Sequence, residues 1–270
     1  MREAAEQVTT EPKILVTEID ESILRITLNR PEKRNALDPE ARQGLIEALQ
    51  ESRDRVKVII IDGAGKAFCS GMDLGQVTDA PQAAEDDLNR TWLQVQEEIR
   101  RHTAVVIASA HGYALGGGAT LINTCDLAVV AEDAQIGMPE IGFGFYPGLS
   151  GPAAQLRLAP KRAAWMVLTA KRISGREAME WGMANLAVPA GDLEAETLAL
   201  ARHVAQFDRV ALEWCKKALW QIPTHITDYR TALEFGLYTN AQIHARTDSH
   251  QDALRDFGAG RPNPGQGRDG

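Results

Sequence analysis

The order of segments along this chain predicts an α/β protein with a largely parallel sheet and a helical C-terminal portion. Two observations carry that reading. Val56–Ile61, Ala104–Ala110 and Leu127–Val130 are continuous apolar or β-branched runs, as expected of strands buried on both faces. Helical stretches stand between them, so the connections are crossovers that make the strands parallel.

The elements follow in order. Ile23–Asn29 alternates, with Leu24, Ile26 and Leu28 on one face and Arg25 and Thr27 on the other, a half-buried strand. Asp38-Pro39-Glu40 is a helix start: an acceptor at the cap, proline in the first turn, an acid at the positive end. Ala41, Leu45, Ala48 and Leu49 continue that helix. Helices are expected over Glu85–Arg101 and, more briefly, from Gly116-Gly117-Gly118. Ser174-Gly-Arg-Glu177 is a capping box and Gly182 a helix stop. Beyond Pro147 the periodic segments lie at about 160–170, 192–206, 208–220 and 228–246, with no convincing strand among them. The expected organisation is an α/β core over 1–190, a helical region over 191–257 and a loose tail over 258–270, rich in glycine and proline.

Composition narrows the function. The 270 residues are 44% hydrophobic and 24% charged, ordinary for a folded chain with a full core. Asp plus Glu number 37 against 29 Lys plus Arg, a net charge of -8. A polyanion such as nucleic acid is repelled overall, so any anionic ligand needs a local basic patch. Cys69, Cys125 and Cys215 are far apart without CxxC spacing, which fits a reducing compartment. Met1–Pro12 is polar and acidic, and no apolar run is long enough to span a bilayer, so a cytoplasmic protein without a membrane partner is expected.

Several motifs fail on inspection. Gly63-Ala-Gly65-Lys66 lacks the glycine and the hydroxyl residue that a phosphate loop needs at positions 60 and 67. Gly148-Leu-Ser150-Gly151 lacks the spacing of a nucleophile elbow. No histidine pair has metal-helix spacing, and the glycines near 116 do not spell a dinucleotide fingerprint.

Two glycine-marked segments remain: Ala67-Phe-Cys-Ser-Gly71-Met72-Asp73-Leu74 and His111-Gly-Tyr-Ala-Leu-Gly-Gly-Gly118-Ala119-Thr120. Each follows a core strand, where α/β sheets place ligands. Glycine lets a ligand approach the backbone, and a helix beginning at Gly117 would aim free N–H groups at it. Two such donors on one oxygen form an oxyanion hole. The alternative is that Gly116–Gly118 serves only close helix–strand packing, and the residues alone leave both open.

With Asn29-Arg-Pro-Glu-Lys-Arg-Asn35-Ala-Leu37, Cys125-Asp126 and Gly137-Met-Pro-Glu140-Ile-Gly142 added in order, the chain resembles the crotonase (enoyl-CoA hydratase/isomerase) superfamily from about residue 14 to 257. The resemblance implies a spiral of ββα units, a C-terminal helical region used for trimerisation, and an acyl-CoA thioester substrate. The backbone N–H groups of Met72 and Gly117 would hold the thioester oxygen. Arg30, Lys33 and Arg34 would lie near the CoA phosphates, with Ala36, Ala67, Ser70, Asp73 and Leu74 around the adenine and pantetheine. A homotrimer or dimer of trimers is implied. No metal or redox cofactor is needed, because the thioester acidifies its own α-carbon.

One departure matters. Family hydratases commonly use two glutamates; the second is present as Glu140, but Thr120 stands at the first. A hydroxyl can orient water but is not a useful base near neutral pH. The chain is in this respect similar to the hydroxycinnamoyl-CoA hydratase-lyases, in which a tyrosine from the C-terminal helices, here Tyr238, lies near the aryl hydroxyl. Tyr146 is expected in the acyl-pocket wall, His111 as a hydrogen-bonded structural histidine, and Cys69 as packing. The expected activity is water addition to an α,β-unsaturated, aryl or alkyl, CoA thioester with Glu140 as sole carboxylate. The rivals are hydrolysis or carbon–carbon cleavage of a cyclic or aryl β-keto thioester, and a non-catalytic CoA-ester-binding or RNA-binding protein; Glu140 speaks against the non-catalytic version and the charge of -8 against RNA.

Overall fold

The computed structural model describes residues 11–73 and 82–266. β1 (Ile14–Glu18) and β2 (Ile23–Leu28) form an antiparallel hairpin. β2 buries Leu24, Ile26 and Leu28 on its inner face, as its alternation requires. β3 (Val58–Gly63), β4 (Val105–Ala110) and β6 (Leu127–Ala131) then pair in parallel, with almost every side chain buried. The main sheet runs β1-β2-β3-β4-β6-β9, with β9 at Leu186–Val188. A second sheet, β5 (Tyr113–Leu115), β7 (Gln135–Gly137) and β8 (Ile173–Ser174), runs β5-β7-β8.

Two strands beyond Pro147 correct the expectation of helix alone. β8 pairs antiparallel with β7, and β9 (Leu186–Val188) extends the main sheet beside β6. At two and three residues they are too short to show a period, and each depends on a neighbouring strand for its ladder.

The helix signals are met closely. α1 (Pro39–Ser52) opens under Asp38, whose carboxylate accepts from Ala41 N at 2.8 Å. α2 covers Gln82–Arg101 and α3 Gly117–Thr124. α4 (Gly151–Arg157) and α5 (Pro160–Thr169) follow, and α6 (Gly175–Trp181) carries the full Ser174/Glu177 capping box and stops at Gly182 in the left-handed region. α7 (Leu193–Ala205) lies across β3, β4 and β6. α8 (Arg209–His225), α9 (Tyr229–His244) and α10 (Ser249–Gly258) complete the chain, with α9 packed on α8 and turns from Ala259 to Gln266.

A buried ion pair ties α8 to the core. Lys216, 5% exposed, lies 2.7 Å from Asp126 Oδ2 and donates to the carbonyls of Ile99 and Ala104 at 2.9 and 2.8 Å. Asp126 also accepts from Val106 N at 2.8 Å, so each charge has further polar partners. Removing one member leaves the other uncompensated. Lys216→Met should therefore lower stability by about 3–5 kcal/mol in urea unfolding, and a loss under about 1 kcal/mol would show the pair to be dispensable.

Candidate active site

The two glycine segments meet. A methyl group on Gly118 would fall 2.2 Å from Cys69 O, so only glycine lets the first turn of α3 lie on the Cys69 strand-loop. Gly116 and Gly117 face elsewhere. A methyl on Gly117 would stand 3.1 Å from Met72 Cε and 3.4 Å from Gly71 Cα; one on Gly116 would stand 3.1 Å from Glu140 Oε1. The packing reading of this triplet is thus visible at Gly118, while Gly116 and Gly117 border Glu140, Gly71 and Met72. Gly117 N and Met72 N donate to no backbone acceptor among the described residues, and Gly117 N lies at the positive end of α3.

Glu140 opens a 3-10 turn, Glu140–Phe143, that Gly144 closes with a left-handed backbone. Its Oε2 is buried with no hydrogen-bond partner, and no cation stands within 4 Å among the described residues. Burial pushes the pKa of this carboxyl above its ordinary value, opposed by its own backbone N–H and by the Ser150 hydroxyl. A half-buried, unpaired carboxylate beside two backbone donors is suited to proton transfer. Thr120 is fully buried one turn into α3, and its hydroxyl donates to Gly116 O at 3.0 Å. Its proton is therefore committed to the helix, and only its lone pairs remain to accept.

The expected basic loop divides into a buried and an exposed part. Arg30 donates to Ala36 O at 2.6 Å and Asp73 Oδ2 at 3.0 Å, and lies 3.3 Å from Asp38. It holds the loop against the Gly71–Asp73 segment. Lys33 and Arg34 are exposed, and the loop is stitched to the first glycine segment by Ser70 N to Arg34 O at 2.9 Å and Asn35 Nδ2 to Ala67 O at 2.7 Å. Arg34 and Arg172 both lie over Tyr113, at 5.9 and 5.1 Å from the ring centre, so Arg172 adds positive charge the sequence reading does not anticipate. Leu74 lies outside the described residues.

The tyrosines lie further out. Tyr146 packs against Gly151 and accepts from Gln155 Nε2 at 2.9 Å. Tyr238, on α9, meets Trp214 and Phe235 rather than any residue of the Glu140 cluster among the ring contacts described. His111 Nε2 donates to Gly65 O at 2.9 Å, and the fully buried Cys69 thiol is pushed up to about 12, so both are structural. The sequence reading does not single out Arg42, which lies beside Met72. Its spacing to Leu45, Ile46 and Leu49 is i+3, i+4 and i+7, which places an arginine on an apolar stripe.

Comparison with known proteins identifies the family. Residues 18–258 match the family profile described as Enoyl-CoA hydratase/isomerase. A hydroxycinnamoyl-CoA hydratase-lyase of Pseudomonas fluorescens is 31% identical over 224 residues, 77% of this chain and 81% of that protein. A 2,3-dehydroadipyl-CoA hydratase of Escherichia coli K12 is 32% identical over 250 residues, 90% of this chain and 94% of that one. The crystal structure of an enoyl-CoA hydratase from Mycobacterium smegmatis, 28% identical, superposes with a TM-score of 0.88 and covers 93% of this chain and 98% of its own. The fold is thus the crotonase-like α/β architecture, and the chain is an enzyme that belongs to the enoyl-CoA hydratase/isomerase family.

Proposed function

We propose that this enzyme is a hydro-lyase that adds water across the double bond of an α,β-unsaturated CoA thioester, with Glu140 as its only catalytic carboxylate. The observation that carries the reading is the unpaired Glu140 carboxylate beside Gly116, next to the Met72–Gly117 donors. The water oxygen bonds to the β-carbon while Glu140 takes its proton. The double-bond electrons move to the thioester oxygen, where the N–H groups of Met72 and Gly117 receive the enolate charge. The enolate then takes the same proton at the α-carbon, and Glu140 returns to its carboxylate. Thr120 takes part as an acceptor only, through its lone pairs. No metal or redox cofactor is required, since the thioester stabilises the carbanion.

An aryl acyl group is supported by the hydratase-lyase relative and by the absence of a second glutamate at Thr120. In this reading Tyr146 lines the acyl pocket, with Tyr238 reaching an aryl hydroxyl. Lys33, Arg34 and Arg172 supply the charge for CoA phosphates, with Ala36, Ala67, Ser70 and Asp73 along the adenine and pantetheine. Exposed Leu219, Leu233, Leu237, Leu254 and Phe257 on α8–α10 support assembly as a homotrimer or dimer of trimers.

Product analysis on enoyl, aryl-enoyl and β-keto thioesters tests the reaction. Water addition to at least one enoyl thioester is expected, and consumption of a β-keto thioester alone would overturn the reading. Glu140→Gln keeps the shape but not the basicity, so kcat should fall by about 10²–10⁴ with a much smaller change in KM. Because burial raises the Glu140 pKa, the acid limb of the wild-type kcat/KM profile should fall with decreasing pH at a midpoint above the ordinary glutamate value, and Glu140→Gln should abolish that limb; a limb that survives in Glu140→Gln would remove Glu140 as the base. Thr120→Ala removes a hydroxyl bonded to its own helix, and kcat should change by no more than about tenfold. Arg34→Glu should weaken CoA binding by about tenfold in titration calorimetry at low salt, and less as salt rises. Unchanged affinity would make Arg34 a solvated side chain.

A further inference from the structure

We propose that Arg42 is a charged positioning residue for this reaction, setting a buried guanidinium behind the Met72–Gly117 pair that receives the enolate oxygen. The inference rests on the oxyanion reading above and adds a source of field to it. Arg42 is 2% exposed on α1. Its Nε donates to Thr91 Oγ1 at 2.9 Å, and its Nη1 donates to Leu37 O at 3.1 Å and reaches Met72 Sδ at 3.9 Å.

The contacts to Leu37 and Met72 lead to the site. Leu37 is the ladder neighbour of Met72: its N–H donates to Gly71 O at 2.8 Å and its carbonyl accepts from Asp73 N at 3.3 Å. The Met72 methyl lies against Gly117. The guanidinium thus braces the backbone on both sides of the Met72 N–H and stands one side chain behind Gly117.

The charge itself needs an explanation. Among the described residues no carboxylate lies within 4 Å of Arg42. Asp38 and Asp87 act on it from further away, and burial pulls its pKa below the ordinary arginine value, though arginine stays protonated. A buried cation without a close counter-charge is unfavourable for folding. Leu45, Ile46 and Leu49 fill the same stripe with apolar side chains, which is all that packing requires. A negative charge forming on the thioester oxygen would meet this cation in a low-dielectric setting, where a fixed cation acts strongly and needs no reorganisation.

The test separates charge from shape. Arg42→Lys keeps the charge and loses the fork; Arg42→Gln keeps a donor and loses the charge. The probe is cinnamoyl-CoA, whose absorbance moves to longer wavelength when positive field acts on its carbonyl. Wild type should show that red shift on binding. Arg42→Gln should lose most of it and drop kcat by about 10–100-fold, with KM changed less than about threefold. Arg42→Lys should keep most of the shift and stay within about tenfold of wild-type kcat. A folded Arg42→Gln with wild-type shift and turnover overturns the proposal. So does a folded Arg42→Lys that loses both, and this second variant decides the matter if the first does not fold. Absence of any red shift in wild type, with no turnover of enoyl thioesters, would instead overturn the oxyanion reading beneath it.

Discussion

The site depends on one close approach: the backbone of Gly118 against the carbonyl of Cys69. With 2.2 Å between that oxygen and any added methyl, the first turn of α3 cannot seat on the strand-loop if residue 118 carries a side chain. Once seated, the turn brings Gly117 against Gly71 and Met72, and Gly116 under Glu140. The backbone donors, the carboxylate and the guanidinium behind Met72 come from four separated stretches of chain. They share a location because this single contact is made. The packing glycine and those that border the candidate site are consecutive residues of one turn.

The fold was legible where a signal is local and repeated. The cap at Asp38, the capping box at Ser174 and the buried runs of β3, β4 and β6 each show within a few residues, and each falls within about two residues of the observed element. β8 and β9 were not legible, because two or three residues carry no period and become strands only beside β7 and β6. The site was legible in part for the same reason. The glycine segments declare a backbone that must be approached, but nothing near Arg30 in sequence announces Asp73, 43 residues on. Thr120 appears from its position to face the reaction; only the observed bond to Gly116 shows where its proton goes. Arg42 did leave a trace, an arginine on an apolar stripe.

The electrostatics of the site are asymmetric. Burial raises the affinity of Glu140 for a proton, while Arg42 is buried as a cation. Both arrangements are unfavourable for folding; Glu140 lies against Gly116, and Arg42 reaches the Met72 side chain that lies against Gly117. Polar groups disfavoured in the folded state are expected where a reaction supplies what they lack. Elsewhere in the chain the buried charge of Lys216 is matched by Asp126 and by two carbonyls. The contrast sets a matched, fastening charge apart from the charges of the proposed site.

Glu140 is carried by a four-residue turn ending at Gly144, and the same loop exposes Phe143, Phe145 and Tyr146. The backbone donors belong instead to the rigid junction of α3 with the core. The machinery is therefore modular. One half, the glycine seat, tolerates almost no change, since any side chain at 118 unseats the helix. The other half sits on a surface loop whose aromatic residues can be exchanged without disturbing the sheet. Descent with modification in such a molecule can revise the carboxylate and the aromatic residues around it together while inheriting the glycine seat intact.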